Sequence, residues 1–226
     1  MSRIRLVVFD LDGTLIDSAR DLATGVNEAL ARVAPGRPPI PLEVVKAFVG
    51  DGAAVLIART LRHAGLALPA DQVLPVFLEC YGRHMLDTTR LYPGVEETLD
   101  RLADRTLAVL TNKPGEASRA LLGGLGVASR FVRIWGPDDA GARKPDPRGL
   151  RRLIAELGFA PAETAMVGDA GVDMAAGRAV GARTIGALWG INPASLAAEP
   201  ADCRIEDIRA LPGALEAPEP QSSVLP

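Results

Sequence analysis

The stretch that decides the fold is Ile4-Arg-Leu-Val-Val-Phe-Asp-Leu-Asp-Gly-Thr-Leu-Ile-Asp-Ser18. Its first part, residues 4–9, is almost wholly apolar and contains β-branched residues, which predicts a strand buried on both faces. The strand runs directly into Asp10 and Asp12, and open α/β sheets bind ligands at this carboxyl end. Two carboxylates in a dry crevice repel each other, so they favour a bound divalent cation, and Mg²⁺ suits oxygen ligands. Gly13 allows a tight turn and lets the backbone approach a bound group.

The composition of the chain limits its class. Its 226 residues are enough for one domain with an inserted module or for two small domains, and 48% apolar residues can form a sizeable core. The net charge of −3 and the aromatic content of 4% disfavour a nucleic-acid partner, which would need a basic surface and stacking side chains. Cys80 and Cys203 are far apart and outside any metal-ligand spacing, so we expect reduced thiols. With no signal-peptide pattern after Met1 and no apolar run of membrane-span length, we expect a cytoplasmic protein with no membrane partner.

Residues 17–89 have a helical character that differs from the rest of the chain. The segment 16–18 is a predicted hinge, and Ser18 is placed to cap a helix with Asp21 as its reciprocal partner. Apolar residues then recur at helical spacing in four segments, approximately 22–33, 42–49, 53–63 and 69–86. No strand pattern occurs between residues 17 and 91. We therefore predict a compact all-helical domain inserted directly after the first strand.

Beyond residue 90 strands alternate with helices. The predicted strands cover residues 106–110, 131–135, 164–167 and 184–188, with helical patterns between them. This alternation predicts an α/β fold, a Rossmann-like parallel sheet with right-handed crossovers, built from residues 1–16 and 90–213. The Pro-, Ser- and Glu-containing tail, 214–226, lacks the apolar content to pack and is predicted to be disordered.

Polar residues follow each of the next three predicted strands, at the same edge of the sheet as Asp10 and Asp12. Each has an ordinary structural alternative: a helix cap for Thr111 and Asn112, a surface side chain for Lys144, and a loop residue and a cap for Asp169 and Asp173. Together they favour another interpretation, because phosphoryl transfer needs a nucleophile, a cation over the phosphoryl oxygens and fixed donors. The order of these groups along one chain supports that interpretation.

Four motifs carry a resemblance to a known family. They are Asp10-Leu-Asp-Gly-Thr-Leu15, Leu110-Thr-Asn-Lys-Pro114, Arg143-Lys-Pro-Asp-Pro147 and Gly168-Asp-Ala-Gly-Val-Asp173. Over residues 4 to about 212 the chain resembles phosphatases of the haloacid dehalogenase superfamily, with a helical cap of the C1 type inserted between the first two motifs.

The resemblance implies a role for each motif residue. Asp10 would be the nucleophile that forms an aspartyl-phosphate, and Asp12 the general acid and base. The hydroxyl of Thr111, the amide of Asn112 and the ammonium of Lys144 would bind the phosphoryl oxygens. The implied cofactor is Mg²⁺, held by the side chains of Asp10 and Asp169 and the main-chain carbonyl of Asp12, with Asp173 supporting these ligands from behind.

The expected substrate is a small phosphorylated metabolite. Within the superfamily the chain most resembles bacterial phosphoglycolate phosphatases, through Val49-Gly-Asp-Gly-Ala-Ala-Val-Leu-Ile-Ala-Arg59, Thr111-Asn-Lys-Pro114 and Trp189-Gly-Ile-Asn192. The resemblance implies hydrolysis of 2-phosphoglycolate to glycolate and phosphate. The turn expected to contact the leaving group consists of Gly50, Asp51 and Gly52, and the side chain of Asp51 should point away from the site or bond within the cap. The residues expected near the phosphoryl group are Gly13 and Asn112.

Other functions stay open at this point. N-acetylmuramic acid 6-phosphate, pyrophosphate or another small phosphate ester could be the substrate. A sugar phosphomutase is disfavoured because the turn at residues 50–54 carries no cation to hold a second phosphate. A receiver-like phosphoacceptor module is disfavoured by the helical insertion and by Asp12. The sequence leaves the choice between monomer and homodimer open.

Overall fold

A computed structural model describes residues 3–216 of the chain. Its strands are β1 (Leu6–Phe9), β2 (Ile16–Asp17), β3 (Arg90–Leu91), β4 (Thr106–Leu110), β5 (Arg133–Trp135), β6 (Thr164–Gly168), β7 (Arg183–Ala187) and β8 (Cys203–Ile205). Its helices are α1 (Ala19–Val33), α2 (Leu42–Lys46), α3 (Ala53–His63), α4 (Ala70–His84), α5 (Val95–Arg101), α6 (Gly115–Gly124), α7 (Pro137–Ala140), α8 (Arg148–Glu156), α9 (Gly171–Val180) and α10 (Leu211–Glu216). Short 3₁₀ turns cover Ala128–Arg130, Pro161–Glu163, Pro193–Ala197 and Ile208–Ala210.

Six strands form one parallel sheet in the order β5-β4-β1-β6-β7-β8. The first strand lies between β4 and β6, and Phe9 is level with Val109 on one side and Val167 on the other. The chain therefore leaves all three strands at the same edge of the sheet. This confirms the predicted α/β fold and places the motif residues after these strands side by side.

The residues of β1 alternate between two apolar layers. Val7 and Phe9 pack on one face of the sheet, and Leu6 and Val8 pack on the other. All four side chains are fully buried. Helices cover both faces, as expected for a parallel sheet, and this is why the strand reads as an unbroken apolar run rather than an alternating one.

Helices α1–α4 form the inserted cap and have an apolar cluster of their own. Val26 of α1, Ile57 of α3 and Phe77 of α4 are among its fully buried members. The chain enters the cap through β2 and returns through β3, and these two short strands pair antiparallel. The two connections between cap and core thus lie next to each other, as a hinge requires.

The structure corrects the sequence prediction at the end of the core. The predicted disordered tail, 214–226, begins too early, because α10 extends to Glu216 and buries Ala214 and Leu215 against the core. The sequence also missed the edge strand β8, whose three residues are too few to show a periodic pattern. The remaining part of the predicted tail, 217–226, lies outside the described residues. Within residues 3–216 no helix has the length and apolar character needed to cross a membrane.

Candidate active site

Two aspartates follow β1, Asp10 buried and Asp12 half-buried, and each is paired with its own lysine. The ammonium Nζ of Lys144 lies 2.7 Å from Oδ1 of Asp10. The ammonium Nζ of Lys113 lies 3.0 Å from both carboxylate oxygens of Asp12. The hydroxyl of Ser18 also donates to Asp12. Asp10 is thus held by the loop before α8, and Asp12 by the residue that follows Asn112 after β4 and by the residue that precedes α1.

Asp169 and Asp173 complete an acidic cluster around Asp10. One carboxylate oxygen from each of these three residues lies within 4.8 Å of the others. Oδ2 of Asp169 accepts hydrogen bonds from the main-chain N–H groups of Ile191 and Asn192, at 2.8 and 3.1 Å. Burial, together with the charges of Asp10 and Asp173, raises the pKa of Asp169 to about 8. The cluster therefore carries more negative charge than its protein surroundings compensate.

The donor set of this cluster fits a magnesium ion. The ammonium group in contact with the cluster is that of Lys144, which pairs with Asp10 and whose Nζ lies 2.6 Å from Oδ1 of Asp173. Full ionisation leaves an excess of two negative charges, the charge that one divalent cation balances. Hard oxygen donors suit Mg²⁺. The side chain of Asp12 faces Lys113 and Ser18, so its main-chain carbonyl is the group left for the metal.

The carboxylate of Asp169 occupies space that is free because residue 13 is a glycine. Gly13 has a φ of +87°, and a Cβ atom added there would lie 2.1 Å from Oδ2 of Asp169. A side chain at position 13 would therefore collide with the cluster and strain the backbone. The sequence predicted that Gly13 approaches the substrate, whereas in the structure it packs against Asp169 and lies outside the lining of the pocket described below.

Asn112 connects three parts of the site through its side-chain amide. Nδ2 donates to the main-chain carbonyls of Lys144 at 2.9 Å and of Gly50 at 3.1 Å, and Oδ1 accepts from the N–H of Lys144 at 2.8 Å. Both amide N–H donors are thus occupied by protein carbonyls. The side-chain amide therefore positions Lys144 and the cap turn, while Asn112 also lines the pocket described below; its binding of phosphoryl oxygens stays a prediction. The hydroxyl of Thr111 accepts from the N–H of Lys113 at 3.2 Å, and Thr111 lines the pocket described below.

A small pocket lies between the cap and these groups. Its volume is about 60 Å³. The lining combines core residues with residues from α1, α3, α4 and the turn before α3; it comprises Asp10, Asp12, Leu22, Val49, Gly50, Gly52, Ala53, Leu56, Phe77, Leu78, Tyr81, Thr111, Asn112, Lys113, Pro114 and Ala117. Asp51 lies outside this lining and forms an ion pair with Arg59, so its side chain bonds within the cap as expected.

Comparison with known proteins agrees with this geometry. The sequence profile of the haloacid dehalogenase-like hydrolases matches residues 4–181. The chain belongs to this family. It is 38% identical over 200 residues to a phosphoglycolate phosphatase of Haemophilus influenzae, covering 84% of this chain and 88% of the relative. It is 39% identical over 216 residues to one of Pseudomonas putida, covering 92% and 78%.

A solved structure shares the whole architecture. A predicted phosphoglycolate phosphatase from Haemophilus somnus superposes with a TM-score of 0.87 at 30% identity, covering 95% of this chain and 99% of that one. These similarities confirm the predicted superfamily and show that the haloacid dehalogenase-like chain is an enzyme, a hydrolase.

Two contacts of this hydrolase site were missed from the sequence. The sequence assigns Lys113 no role beyond its place in a motif, yet its ammonium forms an ion pair with the carboxylate of Asp12. Ser18 was predicted to cap α1, but its hydroxyl donates to Asp12 and makes no capping bond. Its predicted partner Asp21 accepts hydrogen bonds from Thr88 and Thr89 instead. The spacing of Thr111 and Lys113, two residues apart at a strand end, was the available signal, since such residues point to the same side.

Proposed function

We propose that this hydrolase is a magnesium-dependent phosphatase that forms an aspartyl-phosphate on Asp10 and converts 2-phosphoglycolate to glycolate and phosphate. One observation carries the reaction. The carboxylate of Asp10 faces the pocket between cap and core while it also contacts Lys144 and the acidic cluster. A nucleophile, a cation and a metal-binding group therefore meet at one buried point.

The reaction divides into two displacements at phosphorus. In the first, an oxygen of Asp10 forms a bond to phosphorus, the ester P–O bond breaks, and protonated Asp12 gives its proton to the leaving alkoxide oxygen. In the second, Asp12 removes a proton from water, the water oxygen attacks phosphorus, and the bond to Asp10 breaks. Inorganic phosphate leaves and both aspartates return to their starting state. When bound, Mg²⁺ supplies positive charge for the phosphoryl oxygens.

Lys144 provides a positively charged side chain next to the nucleophile Asp10. Burial lowers the pKa of Lys144, but the carboxylates of Asp10 and Asp173 outweigh it and raise that pKa above its ordinary value. The group therefore stays charged at neutral pH and can balance phosphoryl oxygens throughout the reaction. Thr111 offers a hydroxyl at the same edge of the sheet. Asp173 also contacts this ammonium, at 2.6 Å, and holds it in place.

The pocket supports a compact substrate. A volume of about 60 Å³ is far below the roughly 300–1,000 Å³ of sites for drug-sized ligands. The small cavity favours a compact leaving group over the hexose phosphate of a sugar phosphomutase or an N-acetylmuramic acid 6-phosphate phosphatase. The names of the relatives in Haemophilus influenzae and Pseudomonas putida support 2-phosphoglycolate. The free thiols of Cys80 and Cys203 support a reducing compartment, the cytoplasm.

The test is to trap the intermediate. Wild type, Asp10→Asn and the control Asp71→Asn, which changes an exposed aspartate of α4, are incubated with Mg²⁺ and 2-phosphoglycolate. We expect phosphate release from wild type and Asp71→Asn, with a loss of at least about 1,000-fold in Asp10→Asn. Borohydride reduction of a quenched wild-type sample should convert residue 10 to homoserine, detected by mass spectrometry. Undiminished turnover by Asp10→Asn would reject the covalent mechanism.

A further inference from the structure

The pocket contains one positively charged side chain beside its two carboxylates. Among the described lining residues, Lys113 is the only basic one. Its side chain is 6% exposed and follows β4 on the core side. The opposite wall is apolar and comes from the cap, through residues such as Leu56 and Phe77. A buried anion in this space would have no other protein cation on the lining to pair with.

Contacts from both domains hold the ammonium group of Lys113. Besides its two 3.0 Å contacts to Asp12, Nζ lies 4.6 Å from the ring centroid of Tyr81 in α4. The Tyr81 ring stacks on that of Phe77 at 5.7 Å, which fixes its orientation. The electron-rich ring face attracts a cation. Burial lowers the pKa of Lys113, but the neighbouring Asp12 carboxylate more than offsets this and raises it.

The two buried lysines serve opposite ends of the substrate. Lys144 contacts Asp10, which under the proposed function attacks phosphorus, and does not lie on the pocket lining. Lys113 contacts Asp12, which under that function protonates the leaving oxygen. The group beside Asp12 therefore lies next to the leaving alcohol, whereas Lys144 lies next to the phosphoryl group.

We propose that Lys113 determines specificity by binding an anionic group on the leaving alcohol, so that the substrates are small phosphate esters of 2-hydroxy carboxylic acids. This inference rests on the proposed function. A carboxylate entering the pocket faces the charge of Asp10, and Lys113, beside the leaving group, supplies the complementary positive charge. An uncharged leaving group of the same shape leaves Lys113 paired only with Asp12 and gains nothing from it. The cap aromatic Tyr81 keeps the ammonium at the height of the leaving group.

The first experiment compares two substrates of equal shape on the wild-type enzyme. These are 2-phosphoglycolate and its carboxamide analogue, in which a neutral amide replaces the carboxylate. We expect kcat/KM to favour the carboxylate on the order of 100-fold, because a site built for a charged group rejects a neutral replacement strongly. Equal turnover of the two substrates would overturn the role of Lys113 while leaving the phosphatase function intact. If wild type releases phosphate from neither substrate nor from an aryl phosphate with Mg²⁺, the proposed function fails and this inference fails with it.

The second experiment assigns the preference to Lys113. Lys113→Met keeps the length of the side chain and removes the charge, Lys113→Arg keeps the charge, and Lys46→Met is the control at a cap lysine outside the pocket. In Lys113→Met the preference for the carboxylate should fall at least about 30-fold, mainly through KM, while Lys113→Arg retains part of it and Lys46→Met all of it.

A purely structural role for Lys113 gives a different result. If the lysine acts only by orienting Asp12, Lys113→Met slows both substrates by the same factor and the ratio of their kcat/KM values stays unchanged, which contradicts the proposal. Circular dichroism and urea unfolding of each variant show whether it is folded. Should Lys113→Met not fold, Lys113→Gln, which also lacks the charge, takes its place. An unchanged ratio in that variant, or no preference for the carboxylate in wild type, refutes the assignment.

Discussion

Replacing Asp21 with alanine should loosen the junction between cap and core. Asp21 lies in the first turn of α1, is 1% exposed, and accepts hydrogen bonds from the residues that lead back into β3. Its carboxylate takes the N–H and the hydroxyl of Thr89, both at 2.8 Å, and the N–H of Thr88 at 3.0 Å. One side chain thus ties the two connections of the cap together.

The magnitude follows from the burial of the donors. Thr89 is fully buried, so Asp21→Ala leaves its N–H and its hydroxyl unpaired, whereas Thr88 is exposed and can bind water. Two unpaired buried donors at roughly 1.5 kcal/mol each predict a loss of about 3 kcal/mol in the free energy of unfolding. Asp21→Asn keeps one acceptor oxygen and should lose about half as much, roughly 1.5 kcal/mol.

Urea unfolding followed by circular dichroism measures these losses. The control Asp71→Ala removes an exposed aspartate from the first turn of α4 and should change the free energy of unfolding by less than about 0.5 kcal/mol. A loss in Asp21→Ala no larger than that of the control would refute the reasoning, because it would mean that these hydrogen bonds contribute nothing net.

The same contacts predict a pH dependence. Burial raises the pKa of Asp21, but the hydrogen bonds from Thr88 and Thr89 outweigh it and hold that pKa below its ordinary value of 3.8. A carboxyl whose pKa is lower in the folded state adds stability above its unfolded pKa and loses it as the pH falls through the folded value. The difference in stability between wild type and Asp21→Asn should therefore be constant above about pH 5 and shrink below about pH 4.

Three further predictions concern the active site. Gly13→Ala should lower kcat/KM at least about 100-fold, because the added Cβ would lie 2.1 Å from Oδ2 of Asp169. The control Gly36→Ala tests backbone strain alone, since Gly36 has a similar φ of +83° and a Cβ there would meet no atom within 4 Å. This control should stay active. Asn112→Ala should reduce kcat about 10–100-fold, because it removes the hydrogen bonds that position the loop carrying Lys144. An unchanged kcat would show that this loop keeps its conformation without these hydrogen bonds. EDTA should abolish phosphate release, and added Mg²⁺ should restore it. Mg²⁺ should also raise the melting temperature of the demetallated protein. A melting temperature independent of Mg²⁺ would contradict a metal site in the acidic cluster.

The parts of the site that could be predicted from the sequence are those fixed by position along the chain. Asp10, Thr111 and Asp169 each directly follow a predicted buried strand, and parallel pairing brings the carboxyl ends of neighbouring strands to one edge. Lys144 was anticipated by its motif, and the structure places its ammonium against Asp10. The two connections of the cap pair as β2 and β3, and a hinge at residues 16–18 stays a prediction.

Contacts between side chains remote in sequence could not be predicted in this way. Lys113 and Asp12 are 101 residues apart, and Asp21 and Thr89 are 68 apart. Local patterns offered competing and simpler uses, such as the capping box proposed for Ser18 and Asp21, and the tertiary contacts overrode them. For Asn112 the residue type was compatible with binding phosphate, but the nearby carbonyls of Lys144 and Gly50 occupy both of its N–H donors.

The sequence by itself determined the α/β alternation, the place of the helical insertion and the edge of the sheet where the polar residues gather, because strand burial and chain direction are local properties of the backbone and its apolar pattern. Only the tertiary structure decided which charge meets which. In the folded chain Asp10 pairs with Lys144, and Asp12 pairs with Lys113. Asp173 lies within the acidic cluster, and the ammonium of Lys113 contacts an aromatic ring of the cap. The physical reason is that buried ionic pairs depend on distances of a few ångströms between elements whose relative positions are set by packing of the whole core.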